Sequence, residues 1–246
     1  MTNNRSPLDV WQKQWQLYAS NSIYHLNLGV INQIFLLFKN EIKKKNILEL
    51  GAGSGGDILY LAKAGAACSA LDFSPESIAI IEKRAASENL KVRSYCADCL
   101  KTGIPNNSFD LVYSVGLVEH FTDPLSVLRE QARMLRPGGY LIVDVPQKFN
   151  LYTLVKKIRM ATGTFPFGWE TEYSAFKLKK MARILNLSFV RAYGRDSAFT
   201  LKVPDRLKPL YKNIFSVIEK SPLAPYVCLN LGVIYQKPKK YAQKNT

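Results

Sequence analysis

The stretch Leu48-Glu49-Leu50-Gly51-Ala52-Gly53-Ser54-Gly55-Gly56 decides how this chain reads. An apolar strand over Asn46–Leu50 runs into glycines, and a helix over Gly55–Lys63 follows. Glycines directly after a strand let the backbone turn sharply and approach a ligand closely. The free amides of the next helix then point at that ligand. Gly51, Gly53 and Gly56 also satisfy a dinucleotide-binding spacing, so the glycines alone leave several cofactors open. Two acids narrow the choice. Glu49 stands at the mouth of the turn, where a carboxylate opposes a diphosphate and suits an ammonium or sulfonium charge. Asp72 ends the second predicted strand and can accept hydrogen bonds from both hydroxyls of a ribose. A third acid, Asp98, follows the third strand and is placed to meet an adenine amino group.

Outward from this stretch the pattern alternates. Strands are predicted over Ala67–Phe73, Lys91–Ala97, Phe109–Val115 and Tyr140–Val145. Helices are predicted from the Ser74-Pro75 cap through Ser87 and over Pro124–Leu135. Such alternation implies an α/β fold, a parallel sheet with helices on both faces and right-handed crossovers. Ligands in these sheets bind beyond the carboxyl ends of the strands. Two helices are expected before the first strand, over residues 7–45. After Pro146 an aromatic and basic stretch, 147–173, interrupts the alternation. A helix over Ser174–Leu185, a strand over Leu187–Tyr193, an amphipathic segment over Pro204–Lys220 and a last strand over Tyr226–Gln236 complete the reading.

The motifs together resemble the class I S-adenosylmethionine-dependent methyltransferases, in the broad group that includes the quinone-biosynthesis enzymes. The resemblance spans about residues 46–146. It rests on Glu49-Leu50-Gly51-Ala52-Gly53-Ser54-Gly55, Leu71-Asp72-Phe73-Ser74, Ala97-Asp98-Cys99, Phe109-Asp110-Leu111-Val112 and Leu135-Arg136-Pro137-Gly138-Gly139-Tyr140-Leu141, in order. It implies a Rossmann-like, seven-stranded, mostly parallel sheet ending in an antiparallel hairpin. It also implies S-adenosylmethionine as cofactor. Glu49, Gly51, Ala52, Gly53, Ser54 and Gly55 would surround its methionine part, and Asp72 would take the ribose. Asp98 would take the adenine and Phe73 would lie against the base, and Ser74, Cys99 and Val115 complete the expected cofactor-binding set. On this division 1–45 is a helical lid and 46–246 the methyltransferase domain. Within that domain 46–146 is the cofactor core, and 147–173 and 195–222 are acceptor-side insertions.

Methyl transfer from a sulfonium is an in-line displacement that asks the protein chiefly to align donor and acceptor. A base is needed where the acceptor's proton must leave. His120, in Val118-Glu119-His120-Phe121 after the fourth strand, is the candidate catalytic residue, because histidine titrates near neutrality. In the related quinone enzymes a Glu-x-x-Glu-His run here holds a metal. In this chain the first Glu position is Gly116, so no metal is expected. Cys96-Ala97-Asp98-Cys99 has no second Cys or His pair to complete a zinc site. Tyr152 and Lys156 have the spacing of a short-chain dehydrogenase pair, but no other feature of that family accompanies them.

The 246 residues carry 34 Lys and Arg against 19 Asp and Glu, for a net charge of +15. The excess sits outside the middle of the chain: residues 47–150 sum to −2 and residues 151–246 to +13. Such a field attracts anionic partners. The expected partner is a small-molecule or glycolipid acceptor, with peripheral contact to an anionic membrane through the 204–220 segment as a further expectation. An RNA substrate remains an alternative, as does a membrane-associated quinone or lipid, although the fourth strand does not run into the Asn/Asp-Pro-Pro-aromatic sequence typical of base-amino methylation. Trp11, Trp15, Tyr18, Phe149, Tyr152, Phe165, Phe167, Trp169 and Tyr173 crowd the acceptor-side segments, where rings suit sugar faces, quinones or acyl chains. With four cysteines, no apolar run long enough to span a bilayer and no signal-like N-terminus, a cytoplasmic chain is expected.

Overall fold

The computed structural model describes residues 10, 11, 13, 25–166, 169–196 and 217–239. Among these, seven strands form one sheet in the order β3-β2-β1-β4-β5-β7-β6. The strands are β1 (Asn46–Leu50), β2 (Ala67–Asp72), β3 (Val92–Cys96), β4 (Phe109–Val115), β5 (Leu135–Pro146), β6 (Ser188–Arg195) and β7 (Asn230–Gln236). The first five run parallel, and β7 is antiparallel to both β5 and β6. This is the Rossmann-like sheet with a C-terminal antiparallel hairpin. The strand order reverses between β1 and β4, so the crevice at their carboxyl ends is the topological switch point where such sheets bind ligands.

Alternation along the strands divides the core into two layers. Leu48 and Leu50 of β1 point to one face with Val112 of β4, Leu141 and Val143 of β5 and Val233 of β7. There they meet helices α4 (Pro124–Met134) and α6 (Ala175–Ile184) through Val127, Leu128, Leu178 and Met181. Ile47, Leu111, Tyr113, Ile142 and Ile234 point the other way. That face is covered by α1 (Leu28–Phe38), α2 (Gly56–Lys63) and α3 (Pro75–Ser87). Helix α1 lies within the stretch assigned from sequence to a lid; its Val30, Ile31, Ile34 and Phe38 are buried in this second layer. Two further helices are α5 (Leu151–Ala161), which follows β5, and α7 (Ala224–Val227), which packs against β6 and β7.

Some boundaries differ from expectation. β5 begins at Leu135, not Tyr140, because Leu135 already pairs with Phe109 and the register shifts once before Leu111 pairs with Tyr140. Arg136-Pro137-Gly138-Gly139 follows the end of α4, as expected, and lies within β5, with Gly138 at a left-handed φ of 82°. β7 begins at Asn230, since Ala224–Val227 forms one helical turn opened by Pro225. The amphipathic segment predicted over 204–220 lies outside the described residues up to residue 216.

Candidate active site

Four strand ends, the N-terminal segment and the loop carrying Glu170 enclose a cavity of about 290 Å³ at the carboxyl edge of the sheet. This is close to the lower limit of ordinary small-ligand pockets. A larger open groove of about 970 Å³ lies at the opposite edge, against Asn46, Ala67, Val92 and Phe109, where the strands begin. The glycine turn belongs to the smaller cavity. Gly51, Ala52, Gly53 and Ser54 line it after β1, Asp72 and Phe73 after β2, Cys99 after β3, and Val115, Glu119 and His120 after β4.

The turn is held by the acids around it. Asp72 Oδ2 accepts the Gly53 N–H at 2.9 Å and Oδ1 accepts the Ser74 N–H at 3.0 Å. Each carboxylate oxygen keeps a further lone pair for a ligand hydroxyl. Ser74 is directed away from the cavity: its side chain accepts the Ser77 N–H at the start of α3, and Ser77 Oγ donates to Gly53 O at 2.6 Å. Gly55 also stands outside the lining. Its φ of 72° at the N-cap of α2 is left-handed, and Ile81 fills the space where a side chain would sit. Gly56 permits the closest approach, since a Cβ there would lie 1.8 Å from His25 O. Asp98, expected at the adenine, is not among the lining residues; its Oδ1 accepts the Leu100 N–H at 2.9 Å.

Glu49 is buried at the floor of this cavity, and its Oε2 has no hydrogen-bond partner. Burial pushes its carboxyl well above the ordinary value, Asp57 and Asp72 add to the rise, and the Tyr113 hydroxyl and Ile58 amide oppose it. Burial also raises Asp72, against the amides that it accepts from. A buried, underbonded carboxyl among other acids is a site that a cation completes. Asp57 was not singled out from sequence, yet it joins the N-terminal segment to the site: Asn27 donates to it through its backbone N–H at 2.7 Å and its amide Nδ2 at 2.9 Å.

The opposite wall is polar and mostly buried. Val118–His120 form one 3₁₀ turn after β4. His120 Nδ1 lies 3.1 Å from Trp169 O. A carbonyl only accepts, so Nδ1 carries the proton, and in the neutral ring Nε2 is the acceptor. Nε2 faces Glu170 Oε1 at 3.8 Å, and Trp11 packs edge-on against the ring with centroids 4.7 Å apart. Burial pushes the His120 imidazole down to about 4, with Trp169 O opposing and Lys156 adding to the fall. Glu119 is buried with Oε2 unpartnered, and burial and then Glu170 hold its carboxyl well above the ordinary range. Lys156 of α5 is buried between Glu170 at 2.8 Å and Glu172 at 3.2 Å. Burial opposes its charge, but the two carboxylates outweigh that and hold it above the usual lysine value. Glu170 and the Trp169 carbonyl are the residues that sequence reasoning missed. The Thr171 N–H donating to Glu119 O brings them beside the 3₁₀ turn, and no local spacing announces a contact across 50 residues of chain.

Of the aromatic residues expected around the acceptor, Trp11 lines the cavity, Tyr173 and Phe165 are packed inside, and Phe149 and Tyr152 are exposed. Trp15, Tyr18 and Phe167 lie outside the described residues. All four cysteines are free. Among the described residues no cluster of His, Cys, Asp and Glu is arranged to hold a metal ion.

The glycine turn, the acid at the end of β2 and the strand order are those of the class I methyltransferase fold. Residues 48–143 match the family described as "Methyltransferase domain". The chain is 35% identical over 106 residues to an ajmaline N-methyltransferase of Rauvolfia serpentina, covering 42% of this chain and 36% of that protein. It is 28% identical over 153 residues to a ubiquinone biosynthesis O-methyltransferase of Coxiella burnetii, covering 60% of this chain and 64% of that one. The matched segments thus span about a third of the first relative and under two thirds of the second. Among solved structures, a SAM-dependent methyltransferase from Methanosarcina mazei superposes with a TM-score of 0.59 at 18% identity, over 80% of this chain and 93% of that one. Residues 48–143 thus match a methyltransferase domain, the sheet has the fold of SAM-dependent methyltransferases, and S-adenosylmethionine is the cofactor that this likeness implies.

Proposed function

We propose that the chain transfers a methyl group from S-adenosylmethionine to a hydroxyl of a small-molecule, glycan or lipid-linked acceptor. The observation that carries this reading is the placement of His120, with Nδ1 against Trp169 O, at the wall of a cavity whose floor is the underbonded acid Glu49.

The residues present fit the cofactor. Glu49 would face its cationic amino-acid end, Gly51 to Ser54 would follow its chain, and Asp72 would accept from the ribose hydroxyls. Bound there, it supplies an already activated methyl group. Everything else falls to the chain. The buried walls exclude water, which would compete as a nucleophile. His120 Nε2 accepts a hydrogen bond from the acceptor's hydroxyl and so aims an oxygen lone pair inward. A ring held near 4 is a weak base, so it takes the proton only as the new C–O bond forms. Glu170, at 3.8 Å, stabilises the imidazolium produced, and Trp169 O keeps the ring from turning.

The relatives include an N- and an O-methyltransferase by name, and the histidine base favours the hydroxyl acceptor. The test is labelled methyl transfer into fractionated extract, with the product methyl identified by NMR. Label in a lipid, glycan or small-molecule fraction as an O-methyl group is expected. Label in RNA, or an N-methyl product, overturns the reading.

A further inference from the structure

Helix α5 is turned inside out. At about 100° per residue, Thr153, Lys156 and Met160 fall along one line and Leu154, Val155 and Ile158 along the opposite one. The first line faces inward: Thr153 and Lys156 are buried and Met160 half-buried. Leu154, Val155 and Ile158 are 63%, 51% and 58% exposed. The apolar surface extends beyond the helix. Phe149 just before it is 65% exposed, and Tyr226 and Val227 of α7 are exposed as well. An open groove of about 510 Å³ joins the two helices between Lys148, Phe149, Leu154, Lys157 and Val227.

The charge along the α5 segment has one sign. From 147 to 169 the chain holds Lys148, Lys156, Lys157 and Arg159 and no acid. Lys156 is used internally by Glu170 and Glu172, while Lys148, Lys157 and Arg159 are exposed beside the apolar stripe. We propose that this face docks on an anionic membrane surface, with α5 lying in the plane of the interface. Its apolar stripe enters the acyl boundary, and the flanking cations meet headgroup phosphates. A second copy of the chain is a poorer occupant, because an isologous contact would set the same cations against each other. Among the described residues no helix is long and apolar enough to cross a membrane, so attachment through α5 is peripheral. The docked helix is also the one whose Lys156 holds Glu170 at the cavity wall. Docking therefore sets that wall beside the lipid.

The test is co-sedimentation of the full chain with vesicles of phosphatidylcholine alone and of phosphatidylcholine mixed with phosphatidylglycerol in roughly equal parts. Binding to the anionic vesicles alone is expected, declining several-fold as salt rises well above the physiological range. Lys148→Glu/Lys157→Glu is expected to weaken it at least about 20-fold, at about fivefold per cation removed. Leu154→Glu/Ile158→Glu is expected to abolish it. All four side chains are exposed, and unchanged affinity for S-adenosylmethionine confirms that each variant is folded. Equal recovery with neutral vesicles, or wild-type binding by either double variant, overturns the proposal. So does a wild-type dimer that Leu154→Glu/Ile158→Glu converts to monomer in sedimentation velocity. None of these readouts depends on methyl transfer, so the proposal fails or survives apart from the proposed function.

Discussion

Replacing Glu49 with glutamine separates the cofactor reading from a merely structural role for this acid. Two unit charges about 4 Å apart attract by about 4 kcal/mol at an effective dielectric of about 20. The carboxyl must first ionise, and burial among acids has raised it well above its ordinary value. That step costs about 1.4 kcal/mol for each pH unit between its pKa and the working pH. Ionisation therefore takes back part of that attraction, so Glu49→Gln should weaken binding, by less than the about 1000-fold that 4 kcal/mol would give. The sign of the pH dependence follows. Burial raises the carboxyl and a bound cation lowers it, so between the two values binding releases protons and tightens as pH rises. Calorimetry with S-adenosylmethionine in buffers of different ionisation enthalpy reads both quantities. In the variant, proton release should fall by up to one. Stability moves the other way: a raised folded pKa contributes stability below the unfolded value and loses it as pH rises through the folded one. At neutral pH the variant should therefore melt no lower than the wild type, and weak binding could not be ascribed to unfolding. Affinity within about twofold of wild type, with unchanged proton release, would refute the assignment of Glu49 to the cation.

Further expectations concern the opposite wall and the sheet. Because the imidazole is pushed to about 4, the rate should show no acidic limb from His120 above about pH 5; a limb near 6.5 that vanishes in His120→Ala contradicts the buried, neutral ring. His120→Ala itself should lower kcat by about 10²–10⁴ while leaving cofactor affinity in calorimetry within a few-fold. Lys156→Met leaves Glu170 and Glu172 buried without their cation, so a loss of about 3–5 kcal/mol is expected in denaturant melts at neutral pH; a loss under 1 kcal/mol would show the pair to be idle. Asp110 accepts the Asn46 N–H at 2.8 Å and bonds Arg136 at 3.1 Å, at the end of β4 remote from the cavity. Asp110→Ala should cost about 1–3 kcal/mol of stability without changing cofactor affinity, although this acid belongs to the motif that marks the family.

What could be read from the sequence follows from where chemistry is local. β1 and β4 have the predicted bounds because both are buried on both faces, and their apolar runs stop at glycines or polar residues. The Ser74-Pro75 cap is equally local, one side chain and one ring fixing the start of α3. β5 was read short because Pro137-Gly138-Gly139 has turn chemistry, whereas pairing across the sheet overrides it. On the cofactor side, Gly51 to Ser54 and Asp72 sit within two strand ends and reach the cavity as expected; Gly55 and Ser74 were drawn in by proximity in sequence but serve the helix starts behind it. The wall around His120 was hidden for the opposite reason. Its Trp169 carbonyl and Glu170 carboxylate arrive from a loop far along the chain, and a carbonyl has no sequence signature.

The inversion of α5 links the two halves of the argument. Turning Lys156 inward is tolerable only because Glu170 and Glu172 receive it, and it positions Glu170 against His120. The geometry of a helix then forces Leu154, Val155 and Ile158 outward. Fully burying one such side chain is worth about 1.5–3 kcal/mol, and each here is about half exposed, so about 1 kcal/mol per residue is left unclaimed in water. A conventional helix would avoid that loss with polar residues on the outer face and would need no change within. Lys157 and Arg159 show that polar residues are accommodated on this helix beside the stripe. The outward leucine, valine and isoleucine are therefore a choice independent of Lys156, and a surface that takes up apolar side chains between cations accounts for it. If so, Leu154→Gln/Ile158→Gln, which relieves the exposed stripe and leaves Lys156 in place, should be neutral or stabilising in water by up to about 1 kcal/mol. A loss of about 2 kcal/mol or more in denaturant melts would mean that the stripe is packed against protein in solution, and the account of α5 as a membrane-facing helix would fall with it.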